Sequence, residues 1–204
     1  MNILKTALCL AIIGLFGIGC NSDKLEFQTG DILFQSLKSP QCEAIKIATG
    51  SQYSHCGLIN IIDGRVMVLE GLQPCRLTPV KDWINRGIDK HYVVKRLKNS
   101  GNIFSQTDEK QLSEIRNHYL GKNYDIYFGW SDSLIYCSEL VWKVYKETWN
   151  IELCPLRQLK EFDLSHPVVQ AIVKERYGGN IPLNEPVVAP SDIFDSDLLV
   201  KIDI

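Results

Sequence analysis

The 204-residue chain has no apolar run long enough to cross a bilayer comfortably, no basic stripe and no metal-ligand spacing, and each absence removes a class of function. Its longest apolar run, Thr6 to Gly19, holds about 14 residues where a membrane helix needs roughly 20. Lysine and arginine total 22 against 24 aspartate and glutamate, a formal net charge of -2, so there is no electrostatic footprint for nucleic acid. The histidines, at 55, 91, 118 and 166, form no His-x-x-x-His pair, and no Cys-x-x-Cys occurs, so neither a metal nor a cofactor is expected. Internal repeats and low-complexity segments are also missing. The remaining composition, 45% apolar and 23% charged with aromatics spread along the length, is that of one globular domain.

What is present begins with a leader. Met1 to Lys5 carries the only early charge, and the apolar run behind it has the length of a signal-peptide core, so residues 1–19 read as a signal peptide. The run ends Gly17-Ile18-Gly19-Cys20 before polar Asn21-Ser22-Asp23. This resembles the lipobox of bacterial lipoproteins, whose cysteine becomes the lipidated first residue, although Gly17 stands where that pattern usually has Leu. Residues 20–28 then form a polar tether and 29–204 a single domain. The expectation is an exported monomer of the bacterial cell envelope, anchored to a membrane through lipid on Cys20. Export permits disulfides. Setting aside Cys9 and Cys20 leaves Cys42, Cys56, Cys75, Cys137 and Cys154, an odd set in which at least one thiol is free unless chains pair.

Gly30-Asp31-Ile32-Leu33-Phe34 reads as a turn feeding a strand, and Pro40 to Ala48 as a helix stopped by Gly50. Asp63-Gly64 between β-branched runs predicts a hairpin of Leu58–Ile62 with Arg65–Leu69. A further strand is expected over His91 to Leu97. Thr107 can cap a helix that ends at Leu120 before Gly121. Leu140, Val141, Val144 and Tyr145 fall at helical spacing from Cys137, which predicts a helix starting at that cysteine. Pro155 to Pro190 reads as a surface excursion with a short helical piece near Val168 to Lys174, and a short helix and a strand close the chain.

The hairpin register carries a chemical implication. With a two-residue turn, Glu70 faces Gly57 and lies diagonal to His55 on the same face, within reach of a hydrogen bond, and Gly57 leaves the gap between them open. Cys137 at a helix start places its sulfur near unpaired first-turn N–H groups, which favour a thiolate. The N–H of Cys137 or Ser138 can also point at an oxyanion. A buried unreactive cysteine and a packed histidine are the plain alternatives. His91, His118 and His166 read as surface or packing residues, and Asp125 and Asp132 as loop acids.

Gly30-Asp31-Ile32-Leu33-Phe34, Tyr53-Ser54-His55-Cys56-Gly57-Leu58, Leu69-Glu70, Tyr124-Asp125, Tyr136-Cys137-Ser138-Glu139-Leu140-Val141 and the late Ala189-Pro190-Ser191 occur here in one order. Together they resemble the permuted papain-like cysteine hydrolases of the NlpC superfamily, YiiX/YaeF type, over nearly the whole mature chain. The resemblance implies an α+β fold, circularly permuted, with an antiparallel sheet or half-barrel packed on helices. It implies Cys137 as nucleophile, His55 as base and then acid, Glu70 as the residue that orients the imidazole, and Tyr124 with Ser138 on the oxyanion or substrate side. The expected reaction is cleavage of an amide bond in a peptidoglycan peptide or other acylated amine. Two rivals are kept: a lipid acyltransferase or hydrolase like lecithin:retinol acyltransferase, and a noncatalytic wall-binding lipoprotein.

Overall fold

The structure, a computed structural model, describes residues 26–104 and 109–204. The leader, Cys20 and the Thr107 cap fall outside the described residues. Strand β1 (Ile32–Gln35) is followed by helix α1 (Pro40–Thr49), with Ser39 Oγ accepting from Cys42 N at 3.0 Å at its start and Gly50 at φ 62° at its end. A left-handed stop of this kind suits glycine, which has no Cβ to clash. The hairpin is β2 (His55–Ile62) and β3 (Arg65–Glu70), followed by β4 (Arg76–Pro79) and α2 (Val80–Arg86). Asp63 and Gly64 both take positive φ, 50° and 73°, as a two-residue hairpin turn of this twist requires. Ile62 pairs with Arg65 and Leu58 with Leu69, the register that the turn dictates.

Strand β5 (Val93–Leu97) lies beside β1, and α3 (Ser100–Phe104) and α4 (Glu109–Tyr119) follow it. Short strands β6 (Asn123–Tyr124) and β7 (Leu134–Ile135) pair in parallel just before α5 (Cys137–Trp149). The excursion is more ordered than its prolines suggest. It holds β8 (Arg157–Gln158), the eleven-residue α6 (Pro167–Tyr177) and β9 (Pro186–Val187), so the helical piece is longer than Val168 to Lys174. Pro167 opens α6, where its missing N–H costs nothing. Helix α7 (Pro190–Phe194) and strand β10 (Leu199–Ile202) complete the chain.

The architecture is α+β. Six strands run β10-β5-β1-β2-β3-β4, every neighbour antiparallel. One face presents Ile32, Phe34, Cys56, Leu58 and Leu69 to α5; the other presents Leu33, Ile59, Val68 and Val94 to Trp83 of α2. Nine consecutive residues of α5, Cys137 to Tyr145, are buried. A helix covered on all sides is a central one, and here β2, α4 and α7 all pack against it. Among the described residues all five cysteines are free thiols.

A buried ion pair ties β1 to β5. Asp31 accepts from Arg96 Nε at 2.6 Å and from Nη2 at 2.8 Å, with both side chains buried. Removing one partner leaves the other charge stranded, so Asp31→Ala should lower stability by about 3–5 kcal/mol. Chemical denaturation measures this; a shift under about 1 kcal/mol, the range of an exposed pair, would contradict it.

Candidate active site

The site forms where the end of β3 meets the start of α5. Gly71, directly after Glu70, lies so close to that helix that a Cβ on it would stand 2.8 Å from Cys137 N and 2.9 Å from Cys137 Cα. Only glycine allows this approach. It brings the strand that carries the acid against the helix that carries the cysteine. His55, at the first position of β2, completes the group.

Glu70 is wholly buried and fully engaged. His55 Nε2 lies 2.8 Å from its Oε2, Thr78 Oγ1 donates to Oε1 at 2.5 Å, and Arg86 Nη2 reaches both oxygens at 2.7 and 2.6 Å. Burial alone would push this carboxyl up. The bonds and charge from His55, with those from Arg86 and Thr78, outweigh burial and hold the acid at about 2. The Glu70 contact occupies Nε2 of the imidazole, so Nδ1 is the nitrogen left to face a thiol. Trp83 stacks on the ring, centroids 6.0 Å apart with 26° between planes, and fixes its tilt.

Cys137 is 3% exposed, and its thiol is held well below the ordinary value. The foremost cause is a hydrogen bond from the Cys56 thiol. Bonding and charge from His55 and the Cys56 backbone N–H assist, against the cost of burial. The Cys56 thiol moves the opposite way, raised by burial and by the neighbouring Cys137 charge. One sulfur of the pair therefore carries charge and the other keeps its proton to donate. Burial also acts against the His55 imidazolium, yet Cys137 and Glu70 together carry it to about 9. Both directions favour a thiolate beside an imidazolium.

Of the residues singled out from sequence, His55, Glu70 and Cys137 come together. Ser138 does not offer its hydroxyl to the site, because Oγ donates to Val188 O at 2.7 Å. Tyr124 packs against the core cluster that contains Cys137, and its hydroxyl accepts from Gln41 Nε2 at 2.9 Å. Asp125 orders the loop before β7 by accepting from Tyr127 N and Gly129 N, whereas Asp132 pairs with Lys143 at the surface. The gap at Gly57 is not open: a Cβ there would meet Val68 Cγ1 at 2.5 Å, so the glycine makes room for the valine across the hairpin. Arg86, Thr78, Trp83, Cys56 and Gly71 were not found from sequence. For Cys56 a signal exists: strand alternation puts it on the α5 face with Leu58.

Beside the site lies an apolar cleft. Its walls include Ala44 and Ile45 of α1, Val169 and Val173 of α6, and Tyr136 and Ser138 on either side of the nucleophile position. Cys137 and His55 do not line it, so the cleft adjoins the reacting groups and does not contain them.

Residues 26–203 match the family model described as permuted papain-like amidase enzyme, YaeF/YiiX, C92 family. The uncharacterized protein YiiX of Escherichia coli K12 is 45% identical over 175 residues, 86% of this chain and 85% of that one. A crystal structure described as metalloprotein YiiX, from Escherichia coli O157:H7, superposes with a TM-score of 0.80 at 44% identity, covering 86% of this chain and 96% of that one. Among the described residues of this chain, no group of three or more His, Cys, Asp or Glu side chains is placed to hold a metal ion. His55 Nε2 is already taken by Glu70. The donors present among the described residues do not fit a metal.

The charge state makes a direct prediction. Iodoacetamide at pH 6 should alkylate Cys137 faster than Cys56, whose proton is held, or Cys75 and Cys154, which burial pushes up to about 12. The ion pair needs Cys137 deprotonated and His55 protonated, so activity should fall as pH rises through about 9, where His55 loses its proton. Equal slow labelling of all four thiols would contradict the thiolate.

Proposed function

Since the chain belongs to the YaeF/YiiX family of permuted papain-like amidases, we propose that it is a cysteine amidase of the cell envelope, acting on an acylated amine through a Cys137 thioester. The observation that carries the reading is the contact of 2.8 Å between His55 and the buried Glu70, beside a helix-start cysteine whose thiol is held low. The thiolate attacks the carbonyl carbon, and the carbonyl electron pair moves onto oxygen. When the oxyanion collapses, His55 gives its proton to the departing amine. The neutral imidazole then takes a proton from water as its oxygen attacks the thioester carbonyl, and collapse frees the carboxylic acid and returns the thiolate beside the imidazolium. Glu70 accepts from Nε2–H throughout, fixing the tautomer and balancing the imidazolium.

The first-turn N–H groups of Cys137 and Ser138 and the hydroxyl of Tyr124 supply the oxyanion site. Because Ser138 Oγ is committed to Val188, its contribution is its backbone. The envelope location and the lipid on Cys20 rest on the leader sequence, and the tether would hold the domain at a membrane surface.

The cleft favours one branch of the substrate expectation. A peptidoglycan peptide is polar along its length, whereas a cleft lined by Ala44, Ile45, Val169 and Val173 suits an apolar group. The acyl part is therefore read as apolar. The same observation supports the rival reading in which the acyl group passes to or from a lipid.

Decanoyl and acetyl p-nitroanilides given to the mature protein test both parts. Cys137→Ala should abolish turnover with the fold intact by circular dichroism, and retained turnover would end the proposal. His55→Ala should cost about 10²- to 10⁴-fold in rate, and Glu70→Gln less. Val173→Arg should raise KM for the decanoyl compound by about tenfold or more and leave the acetyl compound unchanged. An equal effect on both would remove the cleft from substrate binding.

A further inference from the structure

Three polar side chains from distant parts of the chain meet at the cleft side of the site. Arg176 of α6 donates from Nη2 to Gln41 Oε1 at 2.6 Å, and Gln41 of α1 donates from Nε2 to the hydroxyl of Tyr124 on β6 at 2.9 Å. The chemistry of these groups fixes the direction of the whole chain. A guanidinium has donors only, so the amide must turn its oxygen toward Arg176. Its nitrogen, which can only donate, then faces Tyr124. The phenol oxygen is thereby made an acceptor, and its single proton must point elsewhere.

Cys137 lies near enough for its charge to act on the phenol. Tyr124 pairs with Ile135 across β6 and β7, two residues before Cys137, and packs on the cluster that holds Cys137. Burial first, and then the Cys137 charge, raise the phenol well above its ordinary value, so the proton stays on through the working range. Arg176 is itself held in place, its guanidinium lying over the Phe128 ring at 5.3 Å.

We infer that Arg176 and Gln41 are positioning residues that set the polarity of the Tyr124 hydroxyl, so that it donates to the oxyanion formed beside Cys137. The inference rests on the Cys137 amidase reading and gives the excursion after Pro155 a part in it, because α6 supplies the arginine. Without Arg176 the Gln41 amide is free to turn over and accept the phenol proton, which removes a donor from the site.

Gln41→Glu tests this with almost no change of shape. A carboxylate accepts from both neighbours, so Tyr124 would give its proton to residue 41. The measurement is the burst of p-nitrophenolate from p-nitrophenyl decanoate with the mature protein, which reports acylation of Cys137. Gln41→Glu and Tyr124→Phe should each slow the burst by about 10²-fold, the cost of one oxyanion donor. The double variant should be no slower than Tyr124→Phe alone, because both remove the same proton. Alkylation of Cys137 by iodoacetamide at pH 6 forms no oxyanion and should keep its rate in all three. Arg176→Met should slow the burst and Arg176→Lys should restore most of it.

A burst at the unsubstituted rate in Gln41→Glu, or effects that multiply in the double variant, would overturn the relay and leave the amidase reading standing. If Gln41→Glu fails to fold, shown by loss of selective alkylation, Arg176→Met decides in its place, and a normal burst there overturns the relay. A protein with no Cys137-dependent burst at all would overturn both.

Discussion

A carboxylate without access to water sits at the end of β3, and the groups around it are arranged by the need to neutralise it. Stranding a charge in a protein interior costs several kcal/mol, so a buried acid persists only where donors converge on it. Glu70 has three sources of donors on three elements: His55 from β2, Thr78 from β4 and Arg86 from α2. Satisfying it fixes the position of α2 on the sheet, the pairing of β4 with β3 and the orientation of the imidazole. The same bonds that hold the fold at this corner select the histidine tautomer that a papain-like mechanism uses.

From Glu70 the charges alternate in one direction. The acid holds a positive imidazole, the imidazole faces a negative sulfur, and that sulfur leans on a neutral thiol, Cys56, which donates to it. Gly71 closes the sequence by letting Glu70 and Cys137 approach through their backbones. The sheet side of the site is closed by these bonds. Its other side faces α1 and α6, where the cleft and the contacts between Arg176, Gln41 and Tyr124 lie.

Much of this was legible where local rules act. Asp63-Gly64 fixes the hairpin register, and from the register follows the pairing of His55 with Glu70. The helical spacing after Cys137 placed that residue at a helix start, and the order of the motifs gave the family. What stayed hidden depends on elements meeting across long separations. Nothing about residues 78 and 86 says that they converge on Glu70 until α2 is folded back on the sheet. Gly57 was misread for a nearer reason: the side chain of Val68, across the hairpin, fills the space beside it. In α5 the apolar stripe understated burial, because coverage from three sides shows only in the assembled core.

The order of the motifs also separates the site along the chain. His55 and Glu70 belong to one hairpin, whereas Cys137 follows on a helix that docks from far along the chain. Before that docking the cysteine has neither the imidazole nor the Cys56 proton beside it, and its sulfur is an ordinary thiol. The enhanced reactivity of Cys137 thus depends on a contact between distant parts of the chain, and a chain in which α5 has not docked holds only an ordinary thiol there.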